Sequence, residues 1–445
     1  MSPLSRSLEL LLPCKEISRI CGDIGYRYRD SLYTPMTTVW LFILQVLSAD
    51  HSCQCVLAKY NTYRVNRKLT KVSSDTSGYC KARSRLPEQL MERLLSWTAA
   101  QCDAAAQGQW LFKGREVDII DGTTLTMADT PANQQAYPQA AGQKGGCGFP
   151  LTRMVAVFSL ATGAISMMAL GTYRGKEQGE TGLLRTLLDR FSPGKILLAD
   201  RYYASFWNLA LSELRGIDLV ARVHHLRKVD FRRGLRQGYY DRVVSYVRPP
   251  RPQWMSIEEY DRHPASILVR HLRYRITQPG FRTREVTLAT TLLDAELYSA
   301  EELADLYRQR WMVELHIRSL KTQMQMEHLR CHSPSMVRKE IHCHLIAYSI
   351  VPAAMVQAAS AFGFLPAQLS FTAAMQAVEE YAAARRLCGG AVQGQWQNLL
   401  ESIASIIVGN RQGRHEPREL KRRQKNYKLL KVPRRDHPNH YALAS

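Results

Sequence analysis

An alternation of apolar strands with amphipathic helices between residues 117 and 222 constrains the fold of this chain most. Runs of β-branched and other apolar residues predict buried strands, and helical spacing predicts two helices between the later ones. The strands fall at 117–127, 151–160, 164–171, 195–200 and 218–222, and the helices at 180–190 and 205–214. Because three strands follow one another directly and later strands return through helices, the sequence predicts an α/β fold.

Two aspartates occupy distinctive places in these strands. Asp121 lies inside the first strand, where a carboxylate is costly unless it is paired or bound to a metal. The pair Asp121-Gly122 also matches a turn, and a turn residue is therefore the alternative interpretation. Asp200 ends the fourth predicted strand and is followed by Arg201.

A long helix is predicted over residues 300–325, a segment without Gly or Pro that follows Ser299 as an N-cap. Apolar residues at helical spacing predict a core-facing stripe of Leu303, Leu306, Val313, Ile317 and Leu320. At about 100° per residue, four polar residues fall within roughly 60° of one another, namely Tyr307, Arg310, Glu314 and Lys321. Such a column suits a metal on the carboxylate and phosphates on the two cations. The alternative is a solvated face with an Arg310–Glu314 ion pair.

The net charge of the chain limits the kinds of binding partner that it can have. A formal net charge of +21 over 445 residues needs an acidic counterpart, which is usually nucleic acid or an anionic membrane. The longest apolar run near the N-terminus is shorter than the roughly 20 residues that span a bilayer, and no signal peptide is recognisable. Ten cysteines without a signal do not predict a disulfide framework. The sequence therefore predicts a soluble cytoplasmic protein that meets nucleic acid.

Composition divides the chain into six segments. The N-terminal segment reads as helices and carries basic residues interleaved with tyrosines between Tyr60 and Arg83, a pattern that favours contact with DNA. The predicted segments are a helical DNA-binding region (1–112), the first part of the core (113–222), a β-rich basic insertion (223–295), the second part of the core (296–350), C-terminal helices (351–410) and a basic tail (411–445).

The spacing Y-(2)-R-(3)-E-(6)-K formed by Tyr307, Arg310, Glu314 and Lys321 resembles the signature of DDE transposases of the IS-four family of bacterial insertion sequences. Three further segments resemble the same family, and the resemblance covers roughly residues 115–350. These segments read DGTTLTMADTPANQQAYPQ, LLADRYYASFW and RSLKTQMQMEHLRCHSPSMVRKE.

The resemblance implies a ribonuclease-H-like core with a β insertion between the second Asp and the Glu. It implies that Asp121, Asp200 and Glu314 form a catalytic triad that binds two Mg²⁺ ions, with Mn²⁺ as a substitute. It also implies DNA-binding roles for the remaining signature residues and their neighbours. These are phosphate contacts by Tyr307, Arg310 and Lys321, accessory phosphate contacts by Arg318 and Arg201, and base stacking on Trp254.

The function expected from these features is cut-and-paste transposition of an insertion sequence. The enzyme would hydrolyse phosphodiesters at terminal inverted repeats of double-stranded DNA and transfer the freed strand to target DNA, as a homodimer in the bacterial cytoplasm at the nucleoid. Two alternatives are a catalytically inactive DNA-binding relic or repressor and a general ribonuclease-H-like nuclease or resolvase.

Overall fold

The structure is a computed structural model that describes residues 12–276, 285–387, 392–408, 431–433 and 436. The described residues fall into two compact units. Those within 1–117, 156–168 and 312–409 form the first unit, and those within 118–155, 169–311 and 410–445 form the second. The predicted tail at 411–445 lies almost entirely outside the described residues.

Helices make up the N-terminal part of the first unit, as predicted. They are α1 (Cys14–Asp23), α2 (Pro35–Leu47), α3 (Cys53–Asn66), α4 (Ser77–Arg85) and α5 (Glu88–Ala104). Side chains cap two of them, because the Thr34 hydroxyl accepts from the Thr37 amide before α2 and the Ser52 hydroxyl accepts from the Cys55 amide before α3. Apolar residues at helical spacing thus become buried faces.

The basic and aromatic stretch from Tyr60 to Arg83 is less exposed than the sequence predicts. Tyr60, Tyr63 and Arg83 are buried, and the Arg83 guanidinium donates to the Gln45 amide oxygen at 3.3 Å. The prediction that Arg83 and the two tyrosines contact DNA is therefore wrong. The packing of α2, α3 and α4 buries these three side chains. Three lysines of the stretch remain exposed, namely Lys68, Lys71 and Lys81.

Nine strands follow one another in a single sheet in the order β3-β2-β1-β4-β5-β9-β8-β7-β6. The first five are β1 (Val117–Met127), β2 (Leu151–Ser159), β3 (Ile165–Thr172), β4 (Ile196–Ala199) and β5 (Asp218–Arg222). The others are β6 (Leu235–Gly238), β7 (Asp241–Val247), β8 (Ser266–Arg275) and β9 (Glu285–Thr290), and β10 (His328–Leu329) is a two-residue strand. The predicted α/β class is confirmed, and the order of β1–β5 is that of a ribonuclease-H-like core.

The predicted β-rich insertion continues this sheet. β4 and β5 pair in parallel, with Ile196 opposite Asp218, whereas β9 returns antiparallel to β5 with Val220 opposite Thr290. β8, β7 and β6 then add in antiparallel register. The second unit also contains four short helices, namely α6 (Pro131–Ala136), α7 (Glu180–Leu187), α8 (Phe206–Glu213) and α9 (Ile257–Arg262).

The segment 300–325 is helical, but the prediction of one regular α-helix is wrong. It consists of α10 (Ala300–Arg308), a 3-10 turn (Gln309–Trp311), α11 (Met312–Arg318) and a π-helical turn (Ser319–Gln323). Ser299 caps α10 as predicted, in a capping box with Glu302. Of the predicted apolar stripe, Ile317 is half-buried and the other four residues are buried. Because 3-10 and π turns rotate by other angles per residue, a uniform 100° step does not describe this segment.

The C-terminal helices pack within the first unit. They are α12 (Pro334–Phe362), α13 (Phe371–Leu387) and α14 (Val392–Ala404), and α12 packs against α2, α5, α13 and α14. Among the described residues, α12 alone is long and apolar enough to cross a membrane, but 78% of its most apolar window is buried inside the protein. Its apolar surface is thus explained as the core of this helical layer.

Candidate active site

Asp121 lies in the middle of β1 and not in a turn, so the strand prediction is confirmed and the turn alternative is wrong. The four residues before it are buried, and Asp121 begins a half-buried stretch of the strand. Its Oδ1 accepts from the Gly122 amide at 2.8 Å, and its Oδ2 lies 3.6 Å from Arg310 Nη1. The second unit therefore brings together one predicted metal ligand and one predicted phosphate contact.

Asp200 follows directly after the buried strand β4, as predicted. It is the N-cap of a 3-10 turn (Arg201–Tyr203), and its Oδ1 accepts from the Tyr202 amide at 2.8 Å. The side chain is half-buried, which leaves carboxylate surface for a ligand. The strand end thus delivers a second carboxylate within the second unit.

A third carboxylate, Glu180, accompanies these two aspartates. It is the first residue of α7, and a Cβ added at Gly122 would overlap its carboxyl group. Burial raises the pKa of Glu180, and the negative charges of Asp121 and Asp200 raise it further. Gly122 therefore has a physical reason to be glycine, because its missing side chain leaves room for this carboxyl group next to Asp121.

The pKa of Tyr203 is affected by the charges of Glu180, Asp121 and Asp200. Tyr203 is fully buried, and its hydroxyl oxygen has no hydrogen-bond partner among the described residues. Burial raises its pKa, and the charges of Glu180, Asp121 and Asp200 raise it further, in that order. The neutral form of the buried phenol is therefore strongly favoured.

The charge of Asp200 also affects the pKa of Tyr307. Tyr307 is the penultimate residue of α10 and is buried. Burial raises the pKa of Tyr307 above its usual range, Tyr274 and Asp200 raise it further, and Arg310 opposes them. The ring of Tyr307 is therefore mostly covered by the protein.

Crowded oxygen donors suit a hard divalent cation, which would relieve the repulsion among them. Among the described residues, however, no three His, Cys, Asp or Glu side chains are grouped as the ligands of one metal ion. This holds for Asp121, Asp200 and Glu180, which interact electrostatically without sharing a ligation geometry. The chemistry of the oxygen donors nevertheless suits a divalent cation.

Glu314 belongs to the first unit, where it is an exposed residue of α11. The opposite side of α11 is anchored by His316, whose Nδ1 lies 2.7 Å from the Tyr348 hydroxyl and whose ring stacks on Phe158 at 5.1 Å. Burial lowers the pKa of His316 to about 4, so this anchor is neutral at physiological pH. The neutral anchor fixes the helix that carries the exposed carboxylate.

Lys321 lies on the π-helical turn after α11, within the first unit. Its Nζ is 3.4 Å from Oε1 of the exposed Glu327, and ion pairs near the protein surface contribute little to stability. Arg318, at the end of α11, is exposed. Single π turns within helices are common at functional sites.

Arg201 and Trp254 belong to the second unit. The Arg201 guanidinium lies 5.3 Å from the centre of the exposed Tyr202 ring. Trp254 is half-buried, packs edge-on against Trp207 at 6.1 Å, and is covered by the Arg185 guanidinium at 4.1 Å. Part of the predicted stacking surface of Trp254 is therefore already occupied by side chains of its own unit.

Sequence reasoning missed Glu180 and His316. An acidic residue in the first turn of a helix is common, because it favours the helix dipole, so Glu180 carried no distinguishing signal. The aromatic partners of His316 lie far away in the sequence, at Phe158 and Tyr348. Both residues become visible only when tertiary contacts are known.

A ribonuclease-H-like sheet with aspartates in β1 and after β4, and with an arginine beside the first, suits metal-dependent chemistry on phosphodiesters. The family model described as transposase DDE domain matches residues 113–350. That match spans more than half of the chain, and the chain therefore belongs to the DDE transposase family. It is a DNA transposase and a metal-dependent enzyme.

Sequence comparisons with individual transposases agree with this assignment. The chain is 26% identical over 361 residues to the transposase InsG for insertion sequence element IS4 of Escherichia coli strain K12, covering 79% of this chain and 77% of the relative. It is 38% identical over 66 residues to the transposase for insertion sequence element IS421 of Escherichia coli, covering 15% of this chain and 18% of the relative. Among solved structures, it resembles the piggyBac transposase in a synaptic complex with hairpin DNA, with a TM-score of 0.42, 11% identity and coverage of 90% of this chain and 85% of that one.

Proposed function

We propose that this enzyme cuts double-stranded DNA at the terminal inverted repeats of an insertion sequence and joins the freed 3′ ends to target DNA. The observation that carries this proposal is the ion pair between Asp121 and Arg310 at 3.6 Å. The negative charges of Asp121 and Asp200 also raise the pKa of Glu180. Carboxylates beside a guanidinium provide ligands for cations and a donor for a phosphate in one place. The net charge of +21 supports DNA as the partner.

The carboxylates that would hold the metal are Asp121, Asp200 and Glu314. Their oxygen donors suit Mg²⁺, with Mn²⁺ as a substitute, and the family chemistry suits two ions. When bound, divalent ions polarise the phosphate and neutralise charge that develops on its oxygens. Glu180, half-buried against Gly122, would act behind this set by fixing the side chain of Asp121 and adding negative charge.

The basic residues of the signature would position the DNA backbone. Arg310 would exchange its contact with Asp121 for a scissile-strand phosphate once the carboxylate is neutralised, and Lys321 would exchange Glu327 for another phosphate. Tyr307 would support Arg310 from the preceding turn. Arg318 and Arg201 would add peripheral phosphate contacts, and the free part of the Trp254 ring would stack on an unpaired base.

The assembly follows from the reaction. Because an element has two ends that must be cut together, we propose that a homodimer holds both ends, with each copy supplying one active site. The helical region within 1–112 and the basic insertion 223–295 would bind the terminal repeats. The enzyme would work in the bacterial cytoplasm at the nucleoid, where its substrate lies.

The Glu314→Ala variant tests this function. The wild-type enzyme is expected to nick labelled element-end DNA at the element boundary in Mg²⁺ and to join the product to an unrelated plasmid, and the variant is expected to do neither. Because Glu314 is exposed on a helix anchored by His316 and Val313, its removal should leave the fold intact. Denaturing gels resolve nicking, and agarose gels resolve joined plasmid.

The control is Glu301→Ala, which removes an exposed carboxylate from the first turn of α10 and should cleave like wild type. Cleavage by Glu314→Ala at the wild-type rate would refute the assigned role of Glu314. Wild-type binding of element ends without nicking in either Mg²⁺ or Mn²⁺ would identify an inactive relic. Nicking without joining would identify a nuclease or resolvase.

A separate prediction concerns Glu180. Glu180→Gln keeps the shape of the side chain but removes its charge, and we expect it to weaken Mn²⁺ binding by roughly 10–100-fold, as outer-shell changes do. Gly122→Ala should have a similar effect, because the new methyl group must displace the Glu180 carboxyl group. Isothermal titration with Mn²⁺ in the presence of DNA measures the affinity directly.

The matched control is Glu177→Gln, three residues earlier, where the carboxylate pairs with Arg185 on the surface. It should bind Mn²⁺ like wild type. Equal Mn²⁺ affinities for wild type, Glu180→Gln and Gly122→Ala would show that Glu180 only fills space beside β1.

A further inference from the structure

A pocket in the helical part of the first unit combines tyrosines with arginines. It has a volume of about 480 Å³, within the roughly 300–1,000 Å³ typical of small-ligand sites. Its walls come from the loop between α1 and α2, the start of α2 and the end of α4. The lining residues are Tyr26, Arg27, Tyr28, Arg29, Ser31, Tyr33, Pro35, Thr38, Ala82, Arg85 and Leu86.

The charge of this pocket has one sign. Arg27, Arg29 and Arg85 line it without any lining carboxylate, and all three are exposed. In the described part of the chain, none of these guanidinium groups forms an ion pair with an acidic side chain. Guanidinium groups that line one pocket without counterions repel one another, and an anion with several oxygens would relieve that repulsion. Phosphate is, with carboxylate, one of the anions whose geometry a guanidinium group matches in a bidentate manner.

The rest of the pocket suits a flat ring. Pro35, Ala82 and Leu86 are buried and form an apolar floor. The Tyr28 ring is 40% exposed and lies 6.0 Å from the Tyr26 ring. The Tyr28 hydroxyl donates to Met36 Sδ at 3.6 Å, which fixes the orientation of this exposed ring. An oriented, exposed aromatic ring over an apolar floor is the kind of surface on which nucleic-acid bases stack.

We propose that this pocket binds one unpaired nucleotide of a DNA strand, with its phosphate on the arginines and its base against Tyr28 and Tyr26. The proposal rests on the proposed action on DNA. Paired bases in a duplex are already stacked on their neighbours, so the tyrosines select a nucleotide that has left the helix or lies in a single strand. The site is formed by the first unit alone and contains no member of the catalytic signature.

Binding of a short fluorescent single strand to the full-length protein, measured by anisotropy, tests the proposal. Tyr28→Ala should weaken binding by about 5–100-fold, the range found for the loss of one stacking partner, whereas Tyr28→Phe should bind like wild type. Arg27→Ala and Arg85→Ala should each lower the slope of log affinity against log salt by about 0.7. A strand that carries 5-iododeoxyuridine should crosslink to Tyr26 or Tyr28 under ultraviolet light.

The control is Arg93→Ala, which removes an exposed charge from α5 outside the pocket and should leave the salt slope unchanged. The proposal is overturned if Tyr28→Ala binds the single strand as tightly as wild type, if the duplex of the same sequence loses affinity equally, or if the wild-type protein binds no single strand. None of these outcomes bears on cleavage of duplex ends, so a failure of this proposal is distinct from a failure of the proposed function.

Discussion

Asp200→Ala should lower the rate of element-end cleavage by at least roughly 10³-fold, which corresponds to about 4 kcal/mol of lost transition-state stabilisation. Asp200 is one of two carboxylates that the second unit places in mutual electrostatic contact with Glu180. Its loss should remove a cation ligand and leave charge on the reacting phosphate without compensation. Initial rates on labelled end DNA in Mg²⁺, resolved on denaturing gels, measure the effect.

A structural role of Asp200 must be separated from this chemical one, because its Oδ1 also accepts from the Tyr202 amide. Asp200→Asn keeps an oxygen acceptor for that amide but removes the negative charge. It should therefore fold like wild type and still fail to cleave. Asp189→Ala, which removes the exposed partner of Arg215, is the matched surface control. Cleavage by Asp200→Asn near the wild-type rate would show that capping alone is the task of this residue.

The core strands could be predicted from the sequence because each combines a β-branched or apolar run with a clear boundary. β1 was predicted with its observed bounds, Val117–Met127, and Gly194 marks the boundary before β4. Asp121 within β1 and Asp200 directly after β4 stand out because a carboxylate beside a buried run needs a physical reason. The positions of Asp121 and Asp200 thus follow from local sequence alone.

Other features depend on contacts between distant residues. The sequence of the insertion predicts strands, but nothing in it indicates that β9 pairs with β5 and extends the same sheet. The proximity of Glu180 to Asp121 depends on how α7 packs beside β1. Likewise, the 3-10 turn at Gln309–Trp311 and the π turn at Ser319–Gln323 interrupt a segment whose composition is helical throughout. Tertiary packing determines where these turns form, and the helix propensities of the residues do not indicate them.

The insertion itself depends on a buried ion pair between β7 and β8, which leads to the second prediction. Arg270 is fully buried, and its Nε donates to Asp241 Oδ1 at 2.8 Å. Its Nη1 donates to the Tyr298 carbonyl oxygen at 2.6 Å and to the Asp294 carbonyl oxygen at 3.3 Å. The guanidinium group thus ties the two strands to the loop before α10, the helix that carries Tyr307.

Asp241→Ala should destabilise the second unit by about 3–5 kcal/mol, because it leaves a buried guanidinium group without its counterion. The free energy of opening, measured by hydrogen exchange of the β7 and β8 amides, reports this loss locally. Glu285→Ala is the matched control, since it breaks the exposed pair with Arg275 and should cost about 0–1 kcal/mol.

The double variant Asp241→Ala/Arg270→Met separates the cost of an unpaired charge from the cost of lost packing. If the unpaired guanidinium group is the cause, removing it should recover most of the stability lost in Asp241→Ala, because apolar replacements of buried pairs are often neutral. If the double variant is as unstable as the single one, the hydrogen bonds from Arg270 to the loop carbonyls are what hold β7 and β8 to α10. In that case cleavage should fall together with stability, since Tyr307 and Arg310 lie at the end of that helix and in the turn that follows it.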